Sequence, residues 1–205
     1  RNIWSCAVTF LVTAGTLLLA GKHTGFSLPQ FCGLGLSFEG DGLRVVLAIL
    51  TSSIWFITTV FSKEYFAQSH NRNRYYFFML MTLGATLGIF LSADLYTTFV
   101  FFEMMSFTSF VLVIHHESDS VIRAAQSYLG VAVIGGLVTL MGLFLMYNMA
   151  GTLNIDALAE FMAAQEEKSS FYVVGGLILF GFATKAGLFP LHTWLPEAYP
   201  AAPTP

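Results

Sequence analysis

Six long apolar runs occupy most of this 205-residue chain. A helix needs about 20 mostly apolar residues to cross a bilayer. The runs cover residues 3–21, 42–62, 75–92, 95–115, 121–149 and 170–195. They predict an all-α fold, a polytopic transmembrane helix bundle of about six spans that forms a single domain over residues 1–205.

The composition supports a membrane protein and argues against several other classes. Charged residues make up 10% of the chain and hydrophobic residues 56%, whereas soluble domains average about 25% charged residues. The net charge of -3 is spread out, without the basic block expected of a nucleic-acid-binding protein. We therefore expect the lipid bilayer and other membrane proteins as partners, and no nucleic acid.

The two ends of the chain suggest a fragment of a longer protein. It begins at Arg1 without an initiator Met and stops at Pro205, directly after its most unusual segment. The first apolar run lacks a small-residue cleavage site followed by a polar sequence, so a spanning helix is a better interpretation than a signal peptide.

Two connections between the runs are long enough to carry structure of their own. The segment 22–41 alternates small and apolar residues in "SLPQFCGLGLSFEGDG", which favours a hairpin on the membrane surface. The segment 151–170 contains "NIDALAEFMAAQEEK", where Asn154 is suited to cap a short amphipathic helix.

The basic residues near the span ends predict the orientation. One side holds Arg1, Lys63, Arg72, Arg74 and Arg123, and the opposite side holds Lys22, Arg44 and Lys168. Because Lys and Arg are enriched in cytoplasmic loops, the five-residue side, which includes the N-terminus, is expected in the cytoplasm.

Two ionisable residues lie deep within predicted spans. Glu103 stands about nine residues into the fourth span, about 13 Å deep at 1.5 Å per residue, and Lys185 stands about fifteen residues into the sixth. A charge at the centre of a membrane helix costs about 2.5–3.5 kcal/mol on insertion scales, and such residues commonly mark ion pathways. The alternatives are a structural ion pair and a lysine whose stem reaches the membrane surface.

The sequence after Lys185 predicts a discontinuous helix. Gly187 and Pro190 both weaken a helix, since proline lacks an amide donor and clashes with the carbonyl four residues back. Broken helices form ion sites in transporters. Lysine also changes protonation readily on burial, whereas arginine stays charged, so Glu103 and Lys185 together are candidates for a proton relay.

Polar neighbours extend this hypothesis. Ser106, Ser109 and Thr184 lie close in sequence to the two ionisable residues and are suited either to anchor waters or to bond their own helices. His192, on the second half of the broken span, is suited either to carry protons or to bond a carbonyl. Arg123 opens the fifth span, where it either anchors the interface or gates cytoplasmic protons.

Two segments resemble a known family. "FFEMMSFTSFVLV" at 101–113 and "ATKAGLFPLHTWLPEAYPAAPTP" at 183–205 are similar to the antiporter-like subunits. These comprise the large proton-pumping subunits of respiratory complex I (NADH:quinone oxidoreductase), their relatives in membrane-bound hydrogenases, and the large subunits of Mrp sodium/proton antiporters. "DGLRVVLAILTSSIWFITTVFS" at 41–62 and the loop before it are also similar, which extends the match over nearly the whole chain.

The resemblance implies a larger inverted-repeat fold of about fourteen helices, in which this chain is part of the N-terminal half. The family's membrane glutamate corresponds to Glu103, its lysine in a broken helix to Lys185, and its "PLHTWLP" histidine to His192. Arg123 lies near a position where members often carry Lys. Lys185 would pass its proton along polar residues and water when a neighbouring charge moves.

The resemblance leaves three functions open. The first is proton translocation in a redox-driven complex, with the redox centre in partner subunits and no metal or cofactor in this chain. The second is exchange of Na⁺ or K⁺ for protons by an Mrp-type antiporter without redox chemistry. The third is a structural bundle with a buried ion pair. The expected location is a bacterial or archaeal inner membrane rather than a mitochondrial one.

Overall fold

The computed structural model describes residues 2–29, 31–67 and 71–203. The helices are α1 (Asn2–Leu18), α2 (Gly42–Tyr65), α3 (Arg72–Phe90), α4 (Leu95–Val113), α5 (Asp119–Ala150), α6 (Ile155–Ala163), α7 (Ser169–Ala186) and α8 (Leu195–Ala201). The strands are β1 (Thr24–Leu28) and β2 (Leu36–Gly40), and 3-10 helices cover Phe31–Gly33 and Ile114–His116. Arg1, counted above in the charge comparison, lies outside the described residues, as do Thr204 and Pro205 at the end of the second motif.

Each of the first five predicted spans corresponds to one helix, and the sixth, 170–195, corresponds to α7, the turn after it and the first residue of α8. In the part of the chain that the structure describes, four of these are long and apolar enough to cross a membrane, namely α2, α4 with its 3-10 extension, α5 and α7. Helix α1 is shorter, with its apolar part at Ile3–Leu18, and α3 carries Arg72 and Arg74 in its first turn. The all-α transmembrane fold is thus confirmed, whereas membrane crossing by α1 and α3 stays a prediction.

Aspartate and asparagine side chains cap the N-termini of several of these helices. Asp41 accepts a hydrogen bond from the Arg44 amide at 3.3 Å at the start of α2, and Asp94 accepts one from the Thr97 amide at 2.6 Å at the start of α4. Such caps satisfy amides that have no partner within the helix. Asn154 caps α6 in the same way, through the Ala157 amide at 3.0 Å, which confirms the predicted short helix.

The hairpin predicted in the first long connection is also present. Strands β1 and β2 pair antiparallel, from Thr24 opposite Gly40 to Leu28 opposite Leu36. Every residue of β1 is exposed, while the Ser37 amide of β2 donates to Thr97 Oγ1 of α4 at 2.9 Å. The hairpin therefore lies against the end of the bundle where α4 begins.

An ionic contact ties α3 to the opposite end of α4. Arg74 forms an ion pair with Glu117, and its other terminal nitrogen donates to the His115 carbonyl at 2.8 Å. Hydrogen bonding by the Arg74 guanidinium lowers the pKa of the exposed Glu117 carboxyl. The contact therefore holds while Glu117 is ionised and weakens as the pH falls through that lowered pKa.

Glycines set the close packing of α5 against α7. A Cβ at Gly181 of α7 would lie 2.5 Å from the Gly135 carbonyl oxygen of α5, and one at Gly142 would lie 2.7 Å from Ile178 Cγ1. Small residues allow membrane helices to approach this closely. Next to them, Leu143 and Ile178 belong to a buried apolar cluster that joins the two helices.

We predict that Gly181→Ala destabilises the bundle by about 1–3 kcal/mol, because the new methyl group overpacks a contact made partly by backbone. Gly176→Ala on the same helix is the matched control, since a Cβ there meets no atom within 4 Å. Thermal unfolding of the two purified variants measures the difference. Equal stability would show that the two helices do not pack at this distance.

Candidate functional site

Lys185 is the penultimate residue of α7, which ends at Ala186. Gly187 adopts a left-handed conformation with φ of 66° and donates its amide to the Ala183 carbonyl. Pro190 lies four residues beyond Ala186, where a continued helix would require an amide donor that proline lacks. The discontinuity predicted near Lys185 is confirmed.

The chain then folds back over the end of α7. Trp194, which is 5% exposed, donates its indole N–H to the Thr184 carbonyl at 2.9 Å. Its ring packs on the ring of Tyr128 from α5, with a centroid distance of 4.9 Å. Helix α8 begins at the next residue and buries Ala198 in the same cluster. The broken segment is therefore fastened to both α7 and α5 beside Lys185.

The ammonium group of Lys185 lies between α4 and α5. Its Nζ donates to Ser106 Oγ of α4 at 2.7 Å and to the Tyr128 hydroxyl of α5 at 2.5 Å. It also lies 4.9 Å from the centroid of the Tyr128 ring and 5.8 Å from that of Phe102. Lys185 itself is half-buried. Because Ser106 and Tyr128 are 2% and 4% exposed, these contacts replace part of the water around its ammonium group.

Glu103 enters the same region one turn earlier on α4. Its side chain packs on α5, since a Cβ at Gly136 would lie 2.6 Å from Glu103 Oε1. That oxygen is buried and has no hydrogen-bond partner among the described residues. A buried carboxylate oxygen without a donor is costly, and it makes Glu103 sensitive to any proton or charge that approaches.

Glu103 and Lys185 are close but do not form a direct ion pair. Within the described residues, no contact of 4.0 Å or less joins the carboxylate to the ammonium. Lys185 instead bonds Ser106, which lies one turn along α4 from Glu103. The two charges still interact electrostatically at longer range.

The polar neighbours of the site bond their own helices as well as each other. Ser106 donates to the Phe102 carbonyl at 2.9 Å, Ser109 to the Met105 carbonyl at 2.6 Å, and Thr184 to the Gly181 carbonyl at 2.7 Å. Ser106 also accepts from Lys185, and Ser109 bonds the Tyr128 hydroxyl at 2.6 Å. The two serines therefore belong to one network with Lys185.

This network opens onto a cavity of about 380 Å³. Lys185, Tyr128 and Ser109 supply part of the polar lining. The remaining lining residues are Trp55, Thr82, Thr86, Met105, Val113, Trp194, Ala198, Tyr199 and Ala202, contributed by α2, α3, α4, the turn before α8, α8 and the residue after it. A mostly apolar cavity with a few convergent polar groups is the form expected of a functional site.

The other two predicted site residues stand apart from this network. His192 lies in the turn between α7 and α8, with its ring 5.7 Å from Phe189 and its buried Nδ1 without a partner in the described structure. Arg123 is exposed near the start of α5, and among the described residues it bonds neither Glu103 nor Lys185. The structure thus groups Glu103 with Lys185 and leaves Arg123 outside.

Tyr128 and Trp194 were not among the residues predicted for the site. Each stands among apolar residues in the sequence, where an aromatic side chain usually packs in the core. No sequence spacing shows that the phenol and the indole N–H converge on the last turn of α7. The packing of α5 against α7 brings Tyr128 there, and the path of the chain after Gly187 brings Trp194 there.

Residues 92–205 match the protein family described as "NADH:quinone oxidoreductase/Mrp antiporter, TM". This match covers more than half of the chain and includes Glu103, Lys185 and the broken helix. The chain belongs to this family and is an antiporter-like membrane subunit.

Relatives and solved structures agree with this assignment. A Staphylococcus saprophyticus protein named "Putative antiporter subunit mnhD2" is 35% identical over 97% of this chain and 40% of its own length. A Rhizobium meliloti protein, named as a probable K(+)/H(+) antiporter subunit, is 34% identical over 98% of this chain and 39% of its own. This chain thus spans about two fifths of the length of these relatives.

Two solved membrane complexes contain a chain with a similar structure. One is the membrane-bound sulfane sulfur reductase, an archaeal respiratory complex, with a TM-score of 0.87 over 98% of this chain and 42% of that chain. The other is the Mrp complex from Dietzia sp. DQ12-45-1b, with a TM-score of 0.81 over 98% of this chain and 38% of that chain. Both are 25% identical to this chain.

We predict that Trp194→Phe loosens the segment after Lys185, because the Thr184 carbonyl loses its buried donor. An unsatisfied buried acceptor costs about 1–3 kcal/mol. Hydrogen exchange of residues 187–195 should therefore accelerate in this variant. Trp4→Phe, at a side chain that is 76% exposed, is the matched control, and equal exchange in both variants would contradict the role of the indole contact.

Proposed function

We propose that this protein translocates protons across the membrane as an antiporter-like subunit, with Lys185 as the group that takes up and releases the proton. The observation that carries the proposal is the position of the Lys185 ammonium. It lies at the end of a broken helix, bonded to Ser106 and Tyr128, at the wall of a cavity. A buried lysine changes protonation readily, and broken helices form ion sites in transporters.

Glu103 would couple Lys185 to charges elsewhere in the membrane. Its buried oxygen lacks a hydrogen-bond partner among the described residues, so a proton that binds it, or a cation that pairs with it, breaks no existing hydrogen bond. Such a change alters the electrostatic stabilisation of the Lys185 ammonium, which is bonded to Ser106 one turn along α4 from Glu103. Lys185 then releases its proton when the attraction weakens and regains one when it returns.

The driving energy must come from outside this site. Moving one charge against the membrane potential costs about 2.3 kcal/mol per 100 mV. The names of the relatives favour exchange of a monovalent cation for protons, as in an Mrp-type antiporter. A redox-driven complex is the second candidate, and the TM-score of 0.87 with a chain of an archaeal respiratory complex supports it.

The same comparisons support partners and a location. Because both solved structures are membrane complexes, we infer that the protein works together with other membrane subunits. Its bacterial relatives favour a bacterial cell membrane. The loop charges orient the end that carries Lys63, Arg72 and Arg74 toward the cytoplasm. His192 and Arg123 are secondary candidates for the proton path.

We predict that Lys185→Met abolishes proton uptake by inverted vesicles that contain the protein in its native complex, because the variant cannot bind a proton at this position. Lys185→Arg should impair uptake nearly as strongly, since arginine stays charged. Lys63→Met, at an exposed position in the last turn of α2, is the matched control. Normal uptake by Lys185→Met at normal assembly would make the lysine structural.

The energy source is tested on the unmodified protein in the same vesicles. We expect an imposed Na⁺ or K⁺ gradient to drive proton movement without a redox substrate, as the names of the relatives suggest. Movement that requires a redox substrate and ignores both cation gradients would support the respiratory alternative instead.

A further inference from the structure

Tyr128 lies between Lys185 and the next hydroxyl of the network. Its oxygen is 2.5 Å from Lys185 Nζ on one side and 2.6 Å from Ser109 Oγ on the other. All three residues line the cavity. Tyr128 is therefore positioned to pass a proton between Lys185 and Ser109.

Donor and acceptor chemistry fixes the direction of the first of these hydrogen bonds. A lysine ammonium only donates, so the Tyr128 oxygen accepts from Lys185. The phenol hydrogen then has two acceptors, the Ser109 oxygen at 2.6 Å and the Ser106 carbonyl at 3.4 Å, and the shorter distance favours Ser109. The Ser109 hydroxyl in turn donates to the Met105 carbonyl at 2.6 Å. The hydrogens thus point consecutively away from Lys185.

Packing holds the phenol in this position. The Tyr128 ring lies against the indole of Trp194, which is itself bonded to the end of α7. Its oxygen also lies 3.4 Å from the Ser106 carbonyl. The other titratable groups around the site are Glu103 on α4, His192 in the turn and Tyr199 on α8, and within the described residues none of them bonds the phenol. Among the polar groups of the site, the phenol therefore bonds Lys185, Ser109 and the Ser106 carbonyl.

We propose that Tyr128 is the residue through which Lys185 exchanges its proton with water in the cavity. The inference rests on the proposed function, because it assumes that Lys185 carries a proton. In the step, an N–H bond of Lys185 breaks and an O–H bond forms on Tyr128, while the original phenol proton moves to Ser109. The Ser109 hydroxyl turns from the Met105 carbonyl toward the cavity that it lines and passes its own proton to a water there, so one proton leaves and each hydroxyl ends neutral.

The competing arrangement is direct exchange. Lys185 also contributes to the cavity lining, so water there is able to accept its proton without the phenol. In that case Tyr128 only supports the lysine. The two arrangements differ in what happens when the hydroxyl is removed and the ring is kept.

The test uses Tyr128→Phe in the native complex, with proton uptake by inverted vesicles measured in H₂O and in D₂O. We expect the rate to fall about tenfold or more at normal assembly, in line with the contribution of a positioned proton-transfer group. The solvent isotope effect should rise, because proton transfer becomes rate-limiting. Tyr76→Phe is the matched control, since it removes another buried phenol hydroxyl, which accepts from Ser62 on α2 and is not among the residues that line the cavity.

Each result decides between the two arrangements. Normal uptake by Tyr128→Phe, when Lys185→Met is inactive, overturns the role of Tyr128 and leaves the proposed function intact. Normal uptake by both variants contradicts the proposed function itself. A lower rate with an unchanged isotope effect makes Tyr128 a structural support. If Tyr128→Phe does not assemble, Ser109→Ala takes its place, and unchanged uptake by that variant overturns the inference.

Discussion

An ammonium group that is partly withdrawn from water needs oxygen atoms around it, and the arrangement of α4, α5 and α7 supplies them to Lys185. Two hydroxyls from different helices lie within 2.7 Å of its Nζ. Helix α7 ends at Ala186, where Gly187 caps it, and the chain returns so that Trp194 bonds the Thr184 carbonyl beside the lysine. A continuous helix would carry residues 187–194 onward along the axis of α7, away from Tyr128 and the Thr184 carbonyl.

Close packing and chemistry depend on the same residues. The neighbouring glycines of α5 admit Thr184 at Gly135 and Glu103 at Gly136, and in each case a side chain in place of the glycine hydrogen would collide with the site. The glycines therefore place α4 and α7 on α5 at the depth where Lys185 finds its partners. Any change that separates α5 from α7 would also separate Tyr128 from the ammonium group.

Much of the fold could be predicted from the sequence, because apolar length and helix caps act locally. The six long helices, the hairpin at 22–41, the cap at Asn154 and the break after Lys185 all follow from such patterns.

Glu103 and Lys185 were recognisable because charges are rare in apolar runs. Their exact partners were not, since Tyr128 and Trp194 resemble ordinary core aromatics until the tertiary fold places them. The direct Glu103–Lys185 contact suggested by opposite charge is replaced by bonds to Ser106 and Tyr128, which lie nearer to the ammonium group. Arg123 stands apart because α5 exposes it.

The central claim is that Lys185 gains and loses a proton during transport. Infrared difference spectra of the protein in its native complex, with and without ¹⁵N-labelled lysine, would report this directly when transport is energised. We expect a lysine ammonium band that changes upon energisation and is absent from the spectrum of Lys185→Met. Active transport without any response of a lysine band would contradict the claim and would leave Lys185 as a fixed charge within the bundle.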